Sequence, residues 1–316
     1  MHMVRWPATG IVLVCPFCKS ELEEADQKLL CLKCTISYSI VDGGVPFMLG
    51  ELQGHDSRNA AALKKNVINM FTAYNQSLDE SGLSRFSTFI NWGFATNSSQ
   101  NPASVNRNSI RLLQECLEGL NLEDANILEV ACGRGGSVRE LCRSYGLKSI
   151  IGLDLTEANI AFCQLNNRFP NAYFCIGDAE RLPIGSLCCD VVLNMEASDL
   201  YPSINSFYDE VFRVLKPGGI FVYADDLPAW KFDDGERYLH ELGFELIMSR
   251  DITGEVLLSS DQVQKNRIAA FGSEDQMDTA IWHTMGVPGT TLYDEMKNGE
   301  RQYKIMHFRK LAHHNV

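Results

Sequence analysis

From residue 127 onward the chain alternates short apolar runs with amphipathic stretches, joined by connections of only a few residues. ILEVA (127–131) is followed by the glycine-rich CGRGGS and a helical pattern through Tyr145, with Gly146 placed to end it in the left-handed conformation. SIIGLDL (149–155) reads as a second buried strand. TEANIAFCQLNNRF then reads as a helix capped by Thr156, with Glu157 in its first turn and Pro170 as its stop. AYFCIGD and DVVLNM are further strands. Ile204, Phe207, Tyr208, Val211, Phe212 and Leu215 mark an amphipathic helix, and KPGG turns the chain into GIFVYAD. Upstream, Ile110, Leu113, Leu117 and Leu120 recur at helical spacing. Downstream, WKFDDGERYLHELGFELIMSRDI reads as helix then strand, and RQYKIMHFRKL as a last strand. Such alternation predicts an α/β fold: a doubly wound, mostly parallel seven-stranded sheet with helices on both faces.

Length and charge bound the rest. A chain of 316 residues suggests two domains, or one large core with an appendage. With 45% hydrophobic and 22% charged residues it has the material for a sizeable core and lacks the composition of a disordered chain. No stretch approaches the roughly 18 apolar residues of a membrane span. The start, MHMVRWPATGIVLVC, lacks the pattern of a secretory signal. A net charge of −12 opposes binding to a phosphate polyanion.

The eleven cysteines divide into two groups. Cys15-Pro-Phe-Cys18 and Cys31-Leu-Lys-Cys34 are two C-x2-C knuckles twelve residues apart, and together they complete a tetrahedral thiolate shell for structural zinc. Four thiolates leave no open position for catalysis, and a segment this small needs the metal as its core. The alternative is four unrelated core thiols. CPFCKSEL, CLKC and YSIVDGGVPFML resemble the zinc-ribbon modules that accompany methyltransferases, over roughly residues 12–50. Cys116, Cys132, Cys142, Cys163, Cys175, Cys188 and Cys189 sit mostly in apolar runs and read as packed thiols, with a thiol-based role as the alternative. The odd count and the paired four together point to reduced thiols and a cytoplasmic protein.

Ligands of parallel sheets bind beyond the carboxyl ends of the strands, and the chemistry-bearing residues fall there. Gly133, Gly135 and Gly136 let the backbone pass close beneath a ligand, although a glycine-rich turn alone can be only a tight turn. The spacing is neither G-x-G-x-x-G nor a phosphate loop. Asp154, 21 residues after Gly133, can accept both hydroxyls of a ribose, and Asp178 can reach an adenine amino group. With Glu129, three acidic strand ends suit a ligand that carries positive charge.

ILEVACGRGGSV, GLDL, GDAERLP, NMEAS and RVLKPGG, in this order and spacing, closely resemble class I S-adenosylmethionine-dependent methyltransferases over about residues 105–255. The resemblance implies the Rossmann-like methyltransferase fold, S-adenosylmethionine as cofactor, and a cofactor site at Glu129, Gly133, Gly135, Asp154, Leu155, Asp178, Ala179 and Asn194. A dinucleotide oxidoreductase is the competing enzyme class. The segment NMEASDLYPSINSFYDEVFRVLKPGG looks like methyltransferases of polyketides, glycolipids and other natural products, many of which carry His after E-A-S. Here Asp199 stands in that place, either as the base or as a cap of the turn before Pro202. The implied N-terminal lid brings Tyr74 and Trp92, with FINWGF (89–94), near the sulfonium by cation–π contact or by ordinary packing. The insertion carrying Trp282, His283, Met285 and Tyr293 is read as the roof of the acceptor pocket, with His283 as a second candidate base or a packed histidine.

The resulting division is a zinc ribbon at 1–50, a linker and short-helical lid at 51–104, and a methyltransferase domain at 105–316 with a helical insertion at about 255–298. The expected activity is methyl transfer to a small, lipid-like or secondary-metabolite acceptor, at oxygen rather than carbon. Zinc ribbons also accompany ribosomal-RNA guanine methyltransferases, so RNA is the alternative substrate. Against it, residues 1–60 hold five Lys/Arg and seven Asp/Glu. A cofactor-binding regulator without turnover is the non-enzymatic alternative. Self-association is compatible with the sequence.

Overall fold

The strands at Asn126–Val130 (β5) and Ser149–Asp154 (β6) are buried at every residue, as the continuous apolar runs require of strands covered on both faces. The computed structural model describes residues 10–49, 57–97, 106–271, 283 and 285–312. β5 and β6 pair in parallel with each other, and Ala172–Ile176 (β7) and Cys189–Met195 (β8) continue the sheet on either side. Beyond β8 lie Leu215–Pro228 (β9), Arg301–Lys310 (β11) and Phe244–Asp251 (β10), the last two antiparallel to their neighbours. The order β7-β6-β5-β8-β9-β11-β10 is a doubly wound sheet whose direction of winding reverses between β5 and β8. Helices Arg107–Cys116 (α2), Gly136–Ser144 (α3), Glu157–Asn166 (α4), Ile204–Val214 (α5) and Ala229–Leu242 (α6) accompany it. Three apolar clusters form among the described residues, one holding Phe207, Tyr208 and Phe221, a second Leu112, Leu113 and Val222, and a small third Tyr74, Leu78, Met285 and Val287.

The cysteine-bearing strands Glu23–Ala25 (β1), Lys28–Cys31 (β2), Ile36–Val41 (β3) and Val45–Phe47 (β4) extend this same sheet, giving eleven strands. β4 lies parallel to β7 through Phe47 and Ile176, and the Met48 amide donates to the Ile176 carbonyl at 2.8 Å. Leu13, Cys15, Cys31 and Tyr38 belong to the same apolar cluster as Leu182 and Ile184. Lys19 pairs with Glu210 of α5 at 2.6 Å.

Among the described residues of 51–104 a 23-residue helix, Arg58–Glu80 (α1), stands where the sequence suggests short ones. Ser57 caps it by accepting the Ala60 amide, and its buried residues are Lys64, Tyr74, Asn75 and Leu78. So few inward positions leave little helical periodicity to read. Gly146 also differs from expectation: α3 ends at Tyr145 in an extended conformation, and Gly146 packs against the Glu123 side chain. The C-terminal insertion begins with helix Thr253–Phe271 (α7) and ends with Thr291–Asn298 (α8). Trp282 lies outside the described residues. Among the described residues no helix is long and apolar enough to cross a membrane.

Candidate active site

The loop leaving β5 turns through three left-handed residues, Ala131 (φ +58°), Gly133 (φ +52°) and Gly135 (φ +69°). At Gly135 a β-carbon would come within 2.8 Å of Cys163 Sγ, so the close approach of α4 also requires glycine there. The Gly133 amide donates to Asp154 Oδ2 at 2.9 Å, while Oδ1 accepts from the Thr156 amide (2.8 Å) and the Asn159 side chain (3.1 Å). Burial pushes the Asp154 carboxyl up, and these donors draw it back.

Beyond the ends of β5, β6 and β7 a cleft opens. Gly133, Asp154, Leu155, Asp178 and Ala179 all line it. Glu129, Gly135 and Asn194 lie behind it instead. Glu129 is buried, and burial together with the Asp154 charge raises its pKa to about 8 against the pull of Ser137. Glu129 Oε2 and Asn194 Oδ1 have no hydrogen-bond partner among the described residues. Orphaned acceptors behind a cleft with two carboxylates fit a ligand bearing ammonium or sulfonium charge.

α1 covers the cleft. Lys64, 2% exposed, reaches Asp178 Oδ2 at 2.7 Å and Glu180 Oε2 at 2.6 Å. Phe71 and Ile90 supply apolar walls from the lid segment. Tyr74 and Trp92 do not line the cleft. Tyr74 is buried with its hydroxyl 3.1 Å from Ser87 Oγ, and Trp92 is buried with its backbone amide donating to both Glu196 carboxylate oxygens at 3.0 and 3.1 Å. Between the glycines, Arg134 is 1% exposed, stacks on Phe162 at 3.6 Å and donates to the Ser87 and Ser84 carbonyls at 2.7 and 2.8 Å. It ties Ser84 and Ser87 to the glycine loop. A charged residue inside a tight loop is the available sequence signal for Arg134. Lys64 offers none.

Asp199 stands outside this cleft, held by Lys231 and by Arg301 at 2.8 Å. Burial alone would raise its pKa, but the two cations hold it below the ordinary carboxylate range. His283 is exposed. Asp199 lines the neighbouring groove with Leu200, Tyr201 and Pro202.

At the other end of the sheet the sulfurs of Cys15, Cys18, Cys31 and Cys34 lie within 4.8 Å of one another. Cys15 and Cys34 are 3.9 Å apart, Cys18 and Cys31 3.5 Å. These distances bracket the about 3.8 Å edge of a tetrahedron with zinc–sulfur bonds of about 2.3 Å.

Residues 128–223 match the family model described as a methyltransferase domain, and residues 12–43 that of Trm112p-like protein. The fatty-acid O-methyltransferase of Mycolicibacterium smegmatis is 32% identical over 232 residues, spanning 71% of this chain and 84% of the relative. The phthiotriol/phenolphthiotriol dimycocerosates methyltransferase of Mycobacterium tuberculosis is 36% identical over 242 residues, spanning 70% and 85%. Among solved structures, geranyl diphosphate C-methyltransferase from Streptomyces coelicolor superposes with a TM-score of 0.60 at 14% identity, over 79% of this chain and 98% of that one. This last likeness concerns the fold alone.

Proposed function

The chain belongs to the class I S-adenosylmethionine-dependent methyltransferases, and on that basis we propose that it methylates an oxygen atom of a lipid-like acceptor. The observation that carries this reading is the alignment of two lipid methyltransferases across most of their own length, at more than 30% identity. An apolar groove supports it. Leu63, Val67 and Met70 of α1 face Leu200, Tyr201 and Pro202, and four of these, Val67, Leu200, Tyr201 and Pro202, also line the cofactor cleft. A groove continuous with the cleft suits the alkyl part of the acceptor.

In this reading Asp154 accepts the ribose hydroxyls, Asp178 the adenine amino group, and Leu155 and Ala179 wall the adenine. Glu129, Gly133, Gly135 and Asn194 shape and charge the floor beneath the methionine end. The cofactor supplies an electrophilic methyl group on a sulfonium. The chain's own part is alignment and exclusion of water, with α1, Phe71 and Ile90 as the cover. Tyr74 and Trp92 brace that cover from behind. Asp199 serves as an anchor for Arg301, and His283 belongs to the outer surface of the roof. Cys15, Cys18, Cys31 and Cys34 hold structural zinc, which fixes β1–β4 on the sheet edge.

The test is methyl-labelled S-adenosylmethionine added with a lysate of the source cells, followed by separation of RNA from organic-soluble molecules. Label in the organic fraction is expected. Label in RNA would overturn the reading and make the cysteine module a substrate-recognition element despite its acidic balance.

A further inference from the structure

Behind the cleft a row of four polar side chains runs between the glycine loop and the carboxylate at the end of β6, passing through α1. Arg134 donates through Nη1 to Asn75 Oδ1. Asn75 Nδ2 donates to Asn159 Oδ1 at 2.7 Å, and Asn159 Nδ2 donates to Asp154 Oδ1 at 3.1 Å. Arg134, Asn75, Asn159 and Asp154 are all buried. They come from four different places in the chain: the glycine loop, α1, α4 and the end of β6. Asn159 and Asp154 line the cleft, whereas Asn75 and Arg134 do not.

The two ends of the row fix the direction of every bond in it. A guanidinium only donates, so Asn75 must turn its carbonyl oxygen toward Arg134. Asp154 accepts the Gly133 amide on one oxygen and the Thr156 amide on the other, so Asn159 must turn its amino group toward it. The two groups left over, the Asn75 amino group and the Asn159 carbonyl, then face each other as donor and acceptor. The second Asn75 amino proton goes to the Phe71 carbonyl at 2.8 Å, so this amide has no donor to spare. Two amide dipoles thus lie head to tail between a buried cation and a buried carboxylate, an alignment that both charges favour. Turning either amide over would set donor against donor and acceptor against acceptor in a buried site.

We propose that Asn75 and Asn159 form an amide relay that couples the seating of α1 over the cleft to cofactor binding, with Asn75 as the positioning residue. From α1 it holds Asn159, and through Asn159 it holds the Asp154 carboxylate in the orientation that receives the ribose hydroxyls. The proposal rests on the cofactor site assigned to the cleft above and deepens it. Because Asn75 does not line the cleft, its influence on cofactor affinity passes through Asn159. Such coupling is reciprocal: if a seated α1 raises cofactor affinity, bound cofactor steadies α1 by the same free energy. That steadying reaches Tyr74–Glu80, the last turns of α1, although the α1 residues lining the cleft are Lys64, Val67 and Phe71.

The experiment is calorimetric titration of S-adenosylhomocysteine into the full chain as wild type, Asn75→Asp, Asn159→Ala and the double variant. Amide hydrogen exchange of α1 is followed in wild type and Asn159→Ala, with and without saturating S-adenosylhomocysteine. Asn75→Asp keeps the size of the side chain and an acceptor for Arg134, but it cannot donate to Asn159. It should weaken S-adenosylhomocysteine binding by at least about fivefold while circular dichroism shows it folded. In the Asn159→Ala background the same change should alter affinity by less than about twofold, since the relay is already cut. A direct effect of the added charge on the cleft would survive in that background. S-adenosylhomocysteine should slow exchange across Tyr74–Glu80 in wild type and leave it unchanged in Asn159→Ala. Wild-type affinity in folded Asn75→Asp, equal losses in both backgrounds, no slowing across Tyr74–Glu80 in wild type, or slowing that persists in Asn159→Ala would each overturn the relay. Should Asn75→Asp fail to fold, the exchange comparison decides alone. Failure of wild type to bind S-adenosylhomocysteine would instead overturn the assignment of the cleft, and the proposal with it.

Discussion

The four cysteines lie within one short stretch of chain, from Cys15 to Cys34, whereas the cleft gathers Lys64, Asp154, Asp178 and Glu196 from segments far apart in sequence. The cysteine module places four like groups together, a set that could hold a metal ion. The cleft instead balances its acids with protein partners: Lys64 for Asp178 and Glu180, the Gly133 and Thr156 amides and Asn159 for Asp154. Behind the cleft, Glu129 Oε2 and Asn194 Oδ1 are left without such a partner among the described residues. The proposed zinc would supply in the module the balance that protein partners supply in the cleft.

The most severe way to break this contrast is to remove the metal. Because β4 joins β7 and the cysteines share a core with Leu182 and Ile184, chelation or Cys31→Ser should lower the melting temperature of the whole chain by more than about 10 °C. A main transition within about 2 °C of wild type would show the module to be separable. Next comes Lys64→Met, which leaves Asp178 and Glu180 buried without their cation and should cost about 3–5 kcal/mol by urea unfolding. Adding Asp178→Asn and Glu180→Gln to that variant should recover most of the loss; no recovery would mean that Lys64 matters through packing.

A smaller effect belongs to Glu129. Its folded pKa of about 8 lies above the ordinary value of 4.5, so the native state holds its proton more tightly than the unfolded chain does. The resulting stabilisation is fully present below about pH 4.5 and is lost as pH rises through about 8, by at most about 1.4 kcal/mol per pH unit. Urea midpoints between about pH 6 and 8 should therefore fall in wild type and flatten in Glu129→Gln. Asp199→Asn should have the least effect, a loss of methylation rate of about threefold or less, because Arg301 keeps its contact with the Asp226 carbonyl. A loss as large as about 100-fold would return Asp199 to the role of base.

The same contrast separates what can be read from the sequence from what cannot. C-x2-C pairs and apolar strands are local signals: β5 and β6 are buried throughout, and ILEV and SIIGLD say so without reference to the rest of the chain. Asp154 and Asp178 are legible because each stands at the end of such a strand. α1 is not legible as one long helix, since only four of its 23 residues are buried and one of these is Lys64. Asp199 reads in the sequence as a base or as a turn cap, and its two cations are not legible there because they arrive from 32 and 102 residues further along the chain. Tyr74 and Trp92 are visible as lid aromatics, but nothing local says that Phe71 and Ile90, nearby in the same segments, are the ones turned toward the cleft.

Everything proposed for the cleft depends on the ends of β5, β6 and β7 being the cofactor site, and calorimetric titration of S-adenosylhomocysteine into wild type and Asp154→Ala examines that directly. Stoichiometric binding by wild type, weakened at least about tenfold in the variant while the melting temperature shows it folded, is the predicted result. Binding of equal affinity in the folded variant would place the cofactor elsewhere and contradict the assignment of the cleft.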